Sequence, residues 1–190
     1  MSKIKFAALG VAALGVAALP VAASYAEATS PQSADTTYQA TIEDTFTFTN
    51  DQKGQTITSA LTNGGEVVTN ETPTNLKVVT NHSKGFNITA KSEADSSAAL
   101  ISTTVATDTI PYSTTALAAG TSGWNLTLGP GFSTNGIIAL ADAGVTIHTQ
   151  NTPTTTTGVA ADITYAAAAS SSQAAGTYDN VVTYTATLNS

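Results

Sequence analysis

Cysteine and arginine are both absent from this 190-residue chain, and tryptophan and methionine occur once each. Without cysteine, no disulfide staples the fold and no lipidated thiol anchors it, so stability has to come from a core and from sheet ladders. The six basic residues are all lysines, set against thirteen acids for a net charge of −7. An acidic chain without guanidinium groups lacks the forks that grip phosphates, which argues against nucleic acid and anionic membranes as partners. Only His82 and His148 carry imidazoles. With no cysteine, no Gly-x-Ser-x-Gly and no His-x-x-His pair, nucleophilic catalysis and zinc chemistry have no support. The expectation is a protein that is not an enzyme and uses no cofactor or metal. Helical periodicity is missing too: beyond the first 26 residues no window shows a capped 3.6-residue repeat.

What is present begins with an address. Lys3 and Lys5 precede the apolar run Phe6 to Leu19, then Pro20 and the small residues ending Ser24-Tyr25-Ala26. These are the three regions of a secretory signal peptide, with cleavage expected after Ala26. Pro20 interrupts the run short of the roughly 20 residues a spanning helix needs, so no membrane contact is expected after cleavage. The expected mature chain keeps Lys53, Lys77, Lys84 and Lys91 against all thirteen acids, a net charge of −9. Residues 27–35, small and polar around Pro31, read as a flexible leader, and residues 36–190 as one domain.

Strand signals fill that domain, and about a fifth of the whole chain is threonine. Thr36 to Thr49 alternates, with Tyr38, Ala40, Ile42, Phe46 and Phe48 on one face and Asp44 interrupting the apolar row. Ala175 to Leu188 alternates likewise, with Tyr178, Val182, Tyr184, Ala186 and Leu188 on the apolar side. The shared composition of these two segments suggests that the termini pair or neighbour each other. Between them, Gln55 to Leu61 and Glu66 to Asn70 flank an Asn63-Gly64-Gly65 hairpin signal. Asn75 to Thr80 and Gly85 to Lys91 form a second pair around the turn Asn81 to Lys84, with Leu76, Val78, Phe86, Ile88 and Ala90 facing a core. Further candidates are Ala98 to Thr103, Thr109 to Tyr112, Ser122 to Leu128, Ile137 to Leu140, Val145 to Thr149 and Val159 to Ala166. About ten short strands at this spacing predict an all-β, antiparallel β-sandwich, immunoglobulin-like or jelly-roll-like.

Candidate sites are few. Glu43-Asp44, Asp51 and Glu93-Ala94-Asp95 lack the carboxylate spacing of a calcium loop and read as solvated turn acids. Asn70, Asn81, Asn87 and Asn125 head Asn-x-Ser/Thr triplets, expected by chance in so threonine-rich a chain. Lys77 and Asn180 are a candidate pair for an intramolecular isopeptide bond. Trp124 has two readings, a core tryptophan between sheets or an exposed anchor for a sugar ring or a partner.

At Trp124-Asn125-Leu126, and again at Ala175-Gly176-Thr177-Tyr178 with Val182-Thr183-Tyr184, the chain resembles the WxL-type cell-surface proteins of Gram-positive bacteria. In the second motif Tyr184 and Ala186 stand where that family has Trp and Leu. The resemblance implies non-covalent association with peptidoglycan or another cell-wall polymer, with Trp124, Leu126 and Tyr184 as wall-binding or partner-binding residues. The same C-terminal stretch also looks like the last strand of secreted pilin and spore-coat-like β-sandwich subunits. That likeness implies a fibre in which copies of the chain exchange strands, with Tyr38, Ile42, Phe46 and Phe48 on the donor strand. An extracellular carbohydrate-binding module is the third expectation, resting on fold analogy alone.

Overall fold

A computed structural model describes residues 39–70, 72–94 and 97–190. The expected signal peptide, the leader and Tyr38 lie outside the described residues. The compact unit that holds the strands spans Ile42–Ser190. Its strands are β1 (Phe46–Asn50), β2 (Val68–Thr69), β3 (Thr74–Thr80), β4 (Phe86–Ser92), β5 (Leu100–Ser102), β6 (Thr109–Ile110), β7 (Gly123–Leu128), β8 (Gly136–Ile137), β9 (Val145–Gln150), β10 (Val159–Ala168), β11 (Tyr178–Asp179) and β12 (Val182–Leu188). No helix occurs among the described residues.

The strands form three antiparallel sheets. The largest runs β1-β3-β10-β7-β8, with β2 also on β10; the others run β12-β4-β9 and β11-β5-β6. Alternation explains how the first two meet. Leu76 and Val78 of β3, Leu126 and Leu128 of β7, and Ile163 of β10 face Phe86, Ile88 and Ala90 of β4 and Ile147 of β9 in one buried cluster. Each is at most 2% exposed. Burying side chains of this size stabilises by about 1.5–3 kcal/mol apiece before conformational entropy is counted. The result is an all-β, β-sandwich-like fold.

Several expectations change. β3 and β4 do not pair: the turn between them crosses from the large sheet to the β12-β4-β9 sheet. Gly85 makes that crossing possible, since its φ is +74° and an added Cβ would sit 2.0 Å from the Gln150 carbonyl oxygen. Residues Gln55 to Leu61 form no strand, and Asn63 makes only an isolated bridge to Ala169, so the Asn-Gly turn joins no hairpin. Their Thr and Ile residues have the right propensity but no ladder partner. The expected first strand shrinks to β1, and Ile42, ahead of it, is 86% exposed. The long last strand breaks in two: β11 pairs with β5, β12 with β4. β1 and β12 belong to different sheets and do not pair, but the two segments neighbour each other, since His82 touches both Asp44 ahead of β1 and Asn189 after β12.

Candidate functional site

The entry to β1 is held by side chains from the end of β3 and the turn between β3 and β4. β1 is an edge strand whose ladder runs only to β3, from Phe46↔Thr80 to Asn50↔Leu76. Its inward Phe48 is half-buried and packs against the core, while Phe46 is 38% exposed. Just upstream, the Asn81 carboxamide imitates a neighbouring strand. Its Nδ2 donates to the Glu43 carbonyl at 2.9 Å and its Oδ1 accepts from the Thr45 N–H at 2.6 Å. The Thr80 hydroxyl adds a bond to the Thr45 carbonyl at 2.6 Å.

Beside this lies His82, with Nδ1 2.8 Å from Asp44 Oδ2 and Nε2 2.9 Å from the Asn189 carbonyl oxygen. A carboxylate and a carbonyl both accept, so both ring nitrogens have to donate and the contact pattern suits the imidazolium. The hydrogen bond to Asp44 raises the His82 pKa above its ordinary value, helped by the Asn189 carbonyl and opposed by partial burial. Asn189 is itself pinned, donating from Nδ2 to Lys84 O at 2.7 Å and to Gln150 O at 2.8 Å. The His82 ring therefore clasps the segment entering β1 to the end of β12. Asp44, which interrupts the apolar row in the sequence, is the residue that ends the strand and makes the clasp.

The tryptophan lies inside. Trp124 is 4% exposed, donates from Nε1 to Ala98 O at 2.9 Å and meets Tyr112 edge-on with centroids 5.0 Å apart. Leu126 is fully buried. Neither side chain can touch a sugar ring or a partner without opening the sandwich, so the core reading of Trp124 holds and the anchor reading is corrected. Tyr184 faces inward from β12, its hydroxyl 2.8 Å from that of Tyr165 on β10. Burial pushes both phenols above their ordinary pKa, Tyr184 well above. Of the donor-strand residues, Phe46 and Phe48 fall on β1, Ile42 lies outside it and Tyr38 is not described.

His148 is also structural. It is 5% exposed, stacks on Phe132 at 4.9 Å and accepts the Ser133 N–H on Nδ1 at 2.9 Å. Nδ1 accepts, so the proton sits on Nε2, which is buried without a partner; burial lowers the pKa. Asn180 is the hub that sequence reasoning misjudged. Its Nδ2 donates to Ser92 Oγ (2.9 Å), Ala98 O (3.1 Å) and Ala99 O (3.2 Å), and its Oδ1 accepts from Ala94 N–H at 3.2 Å. Lys77 is not among its partners and sits on β3 between Thr49 and Ala160. The signal was available: Asn180 falls on the apolar row of the last segment, as Asp44 does in the first, and each marks where a strand ends.

An open groove of about 430 Å³ is lined by Gln52, Thr56 to Ala60, Val68, Thr69, Asn70 and Thr72. It offers hydroxyls and amides but no aromatic platform for a sugar. No group of three or more metal-ligating side chains occurs among the described residues. Compared with models of protein families and with curated proteins, the chain matches none.

Proposed function

We propose that this protein is an exported structural component of the bacterial cell surface that assembles with copies of itself by exchanging β1. The observation that carries the reading is that β1 is an edge strand, held to the sheet by a single ladder and, at its entry, by side-chain bonds that strand exchange would preserve between copies. It has one ladder partner, gives the core Phe48, and is entered by a segment whose apolar Ile42 is in solvent. A strand joined this way can leave β3 and be replaced by the same strand of another copy, with backbone pairing conserved. The signal-like N-terminus supports export. Both histidines are occupied by packing or by the clasp, which supports a mechanical role over a catalytic one.

Thr49 opposes Lys77 in the β1–β3 ladder, and the chain has no cysteine of its own. A Thr49→Cys/Lys77→Cys variant oxidised as a monomer therefore locks β1 in place. The reading expects the reduced protein to form ladders in size-exclusion chromatography and the locked protein to form none. Equal assembly of both forms would refute it. Trp124 and Leu126 are buried, which favours a different surface for any attachment to a wall polymer. Co-sedimentation of the monomer with peptidoglycan sacculi tests whether another surface supplies it.

A further inference from the structure

Among the described residues β12, a seven-residue strand, pairs only with β4, and no described strand pairs with its other edge. Natural sheets shield such edges with lysine, proline, a bulge or a covering loop. The opposite edge of this sheet follows the rule. β9 meets β4 through a bulge between Ile88 and Thr89, and its Ile147 carbonyl is taken by the Thr134 N–H. β1 is flanked by Glu43, Asp44 and Asp51, and β8 is two residues long. Within its own span β12 carries neither charge nor proline, Val-Thr-Tyr-Thr-Ala-Thr-Leu, in a chain of net charge −7, and the acids beside it are Asp179, ahead of the strand, and Glu93, bonded to Thr183 on the β4 side. Its inward Val182, Tyr184 and Ala186 are only half-buried, and Leu188 is 37% exposed.

We propose that β12 is a self-association edge that pairs antiparallel with β12 of a second copy, about a two-fold axis at Thr185. The centre follows from the strand's length, because Thr185 is its middle residue and centring there pairs all seven positions. Thr183 then faces Thr187 of the other copy on the exposed side, and Val182 faces its Leu188 on the apolar side. The bulky Tyr184 meets the small Ala186. Two three-stranded sheets become one of six, an isologous contact of the commonest kind. The area is small against the roughly 1,600 Å² of a standard interface, so dimers form at high protein concentration. The contact shares with the exchange of β1 only the premise that copies meet, and it lies in the other sheet.

Single cysteines test it, because each of these threonines is exposed and the chain has no other thiol. At the axis, Thr185→Cys places two Cα atoms about 4.5–5.5 Å apart, within disulfide reach. Thr183→Cys lies four residues from its own image, about 13 Å along the strand and out of reach. The expected result at millimolar concentration under mild oxidant is a disulfide dimer for Thr185→Cys and none for Thr183→Cys or Thr187→Cys alone. A mixture of the latter two should yield the heterodimer. Thr185→Lys, which sets like charges opposite each other, should abolish the concentration-dependent dimer while leaving Trp124 fluorescence unchanged. Equal crosslinking of Thr183→Cys and Thr185→Cys, no crosslinking of either, or an unaltered dimer in Thr185→Lys overturns the proposal. Measuring the concentration-dependent dimer by size, with Thr185 and with Thr185→Lys, in the Thr49→Cys/Lys77→Cys background oxidised beforehand separates this contact from strand exchange: the Thr185 dimer survives there even where ladders do not form.

Discussion

Replacing Asn180 should destabilise the protein in a way that depends on which atoms are lost. Its amide reaches the hydroxyl of Ser92 and the carbonyls of Ala98 and Ala99, all at most 3% exposed. In Asn180→Ala the Ala98 carbonyl keeps its bond from Trp124, but Ser92 Oγ, the Ala99 carbonyl and the Ala94 N–H each lose a partner. At about 1 kcal/mol apiece the loss is about 3 kcal/mol, or about 10 °C in Tm for a domain of this size. Asn180→Asp keeps the shape but turns a second acceptor toward two carbonyl oxygens. At pH 7 it should therefore be no more stable than the alanine variant. The misplaced carboxylate has its folded pKa raised, so protonation is favoured in the folded state and the deficit should shrink as pH falls toward 4. Thermal unfolding followed by the fluorescence of the one tryptophan reads both variants. An Asn180→Asp protein as stable as wild type at pH 7, or an alanine variant within 1 kcal/mol of wild type, would refute the hub.

The two histidines should bend the pH–stability curve in opposite directions. The raised pKa of His82 means that its clasp contributes fully below the ordinary histidine value of 6.5 and is lost as pH rises through the folded value. His82→Gln should therefore flatten the alkaline side in a urea titration at several pH values; an unchanged slope there would remove the clasp. His148 is held neutral by burial. Its contribution is present above 6.5 and falls away as pH drops through the lowered folded value, so His148→Gln should flatten the acid side just below 6.5. Trp124→Ala should cost about 3–5 kcal/mol as a large core truncation. A loss under 1 kcal/mol in denaturant unfolding would mean that the indole is not packed as described.

The faces of the central strands were legible because alternation reports burial directly. Leu76, Val78, Phe86, Ile88 and Ala90 are all fully buried, as their parity requires. Strand ends were harder to read. Alternation continues across Asn180 and Asp44, and only side-chain bonds to residues far along the chain decide that the strand stops there. β7 hid a different fact. Its alternation suggests one apolar face, yet Asn125 on the other face is 3% exposed and donates to the Thr115 carbonyl at 3.0 Å. A loop covers that face, and local pattern does not report what a distant loop covers. The pairing of β3 with β1 and β10 rather than with β4 was equally out of reach, since a four-residue turn suits a hairpin as well as a crossing between sheets.

The most direct test of an exchangeable β1 is strand complementation. A chain beginning at Lys53 is mixed with a labelled peptide spanning Ile42 to Gln52, and binding is followed by fluorescence anisotropy. Stoichiometric binding that restores the Tm of the full chain, weakened by Phe48→Ala in the peptide, is the predicted result. A truncated chain as stable as the full one that ignores the peptide would contradict the account.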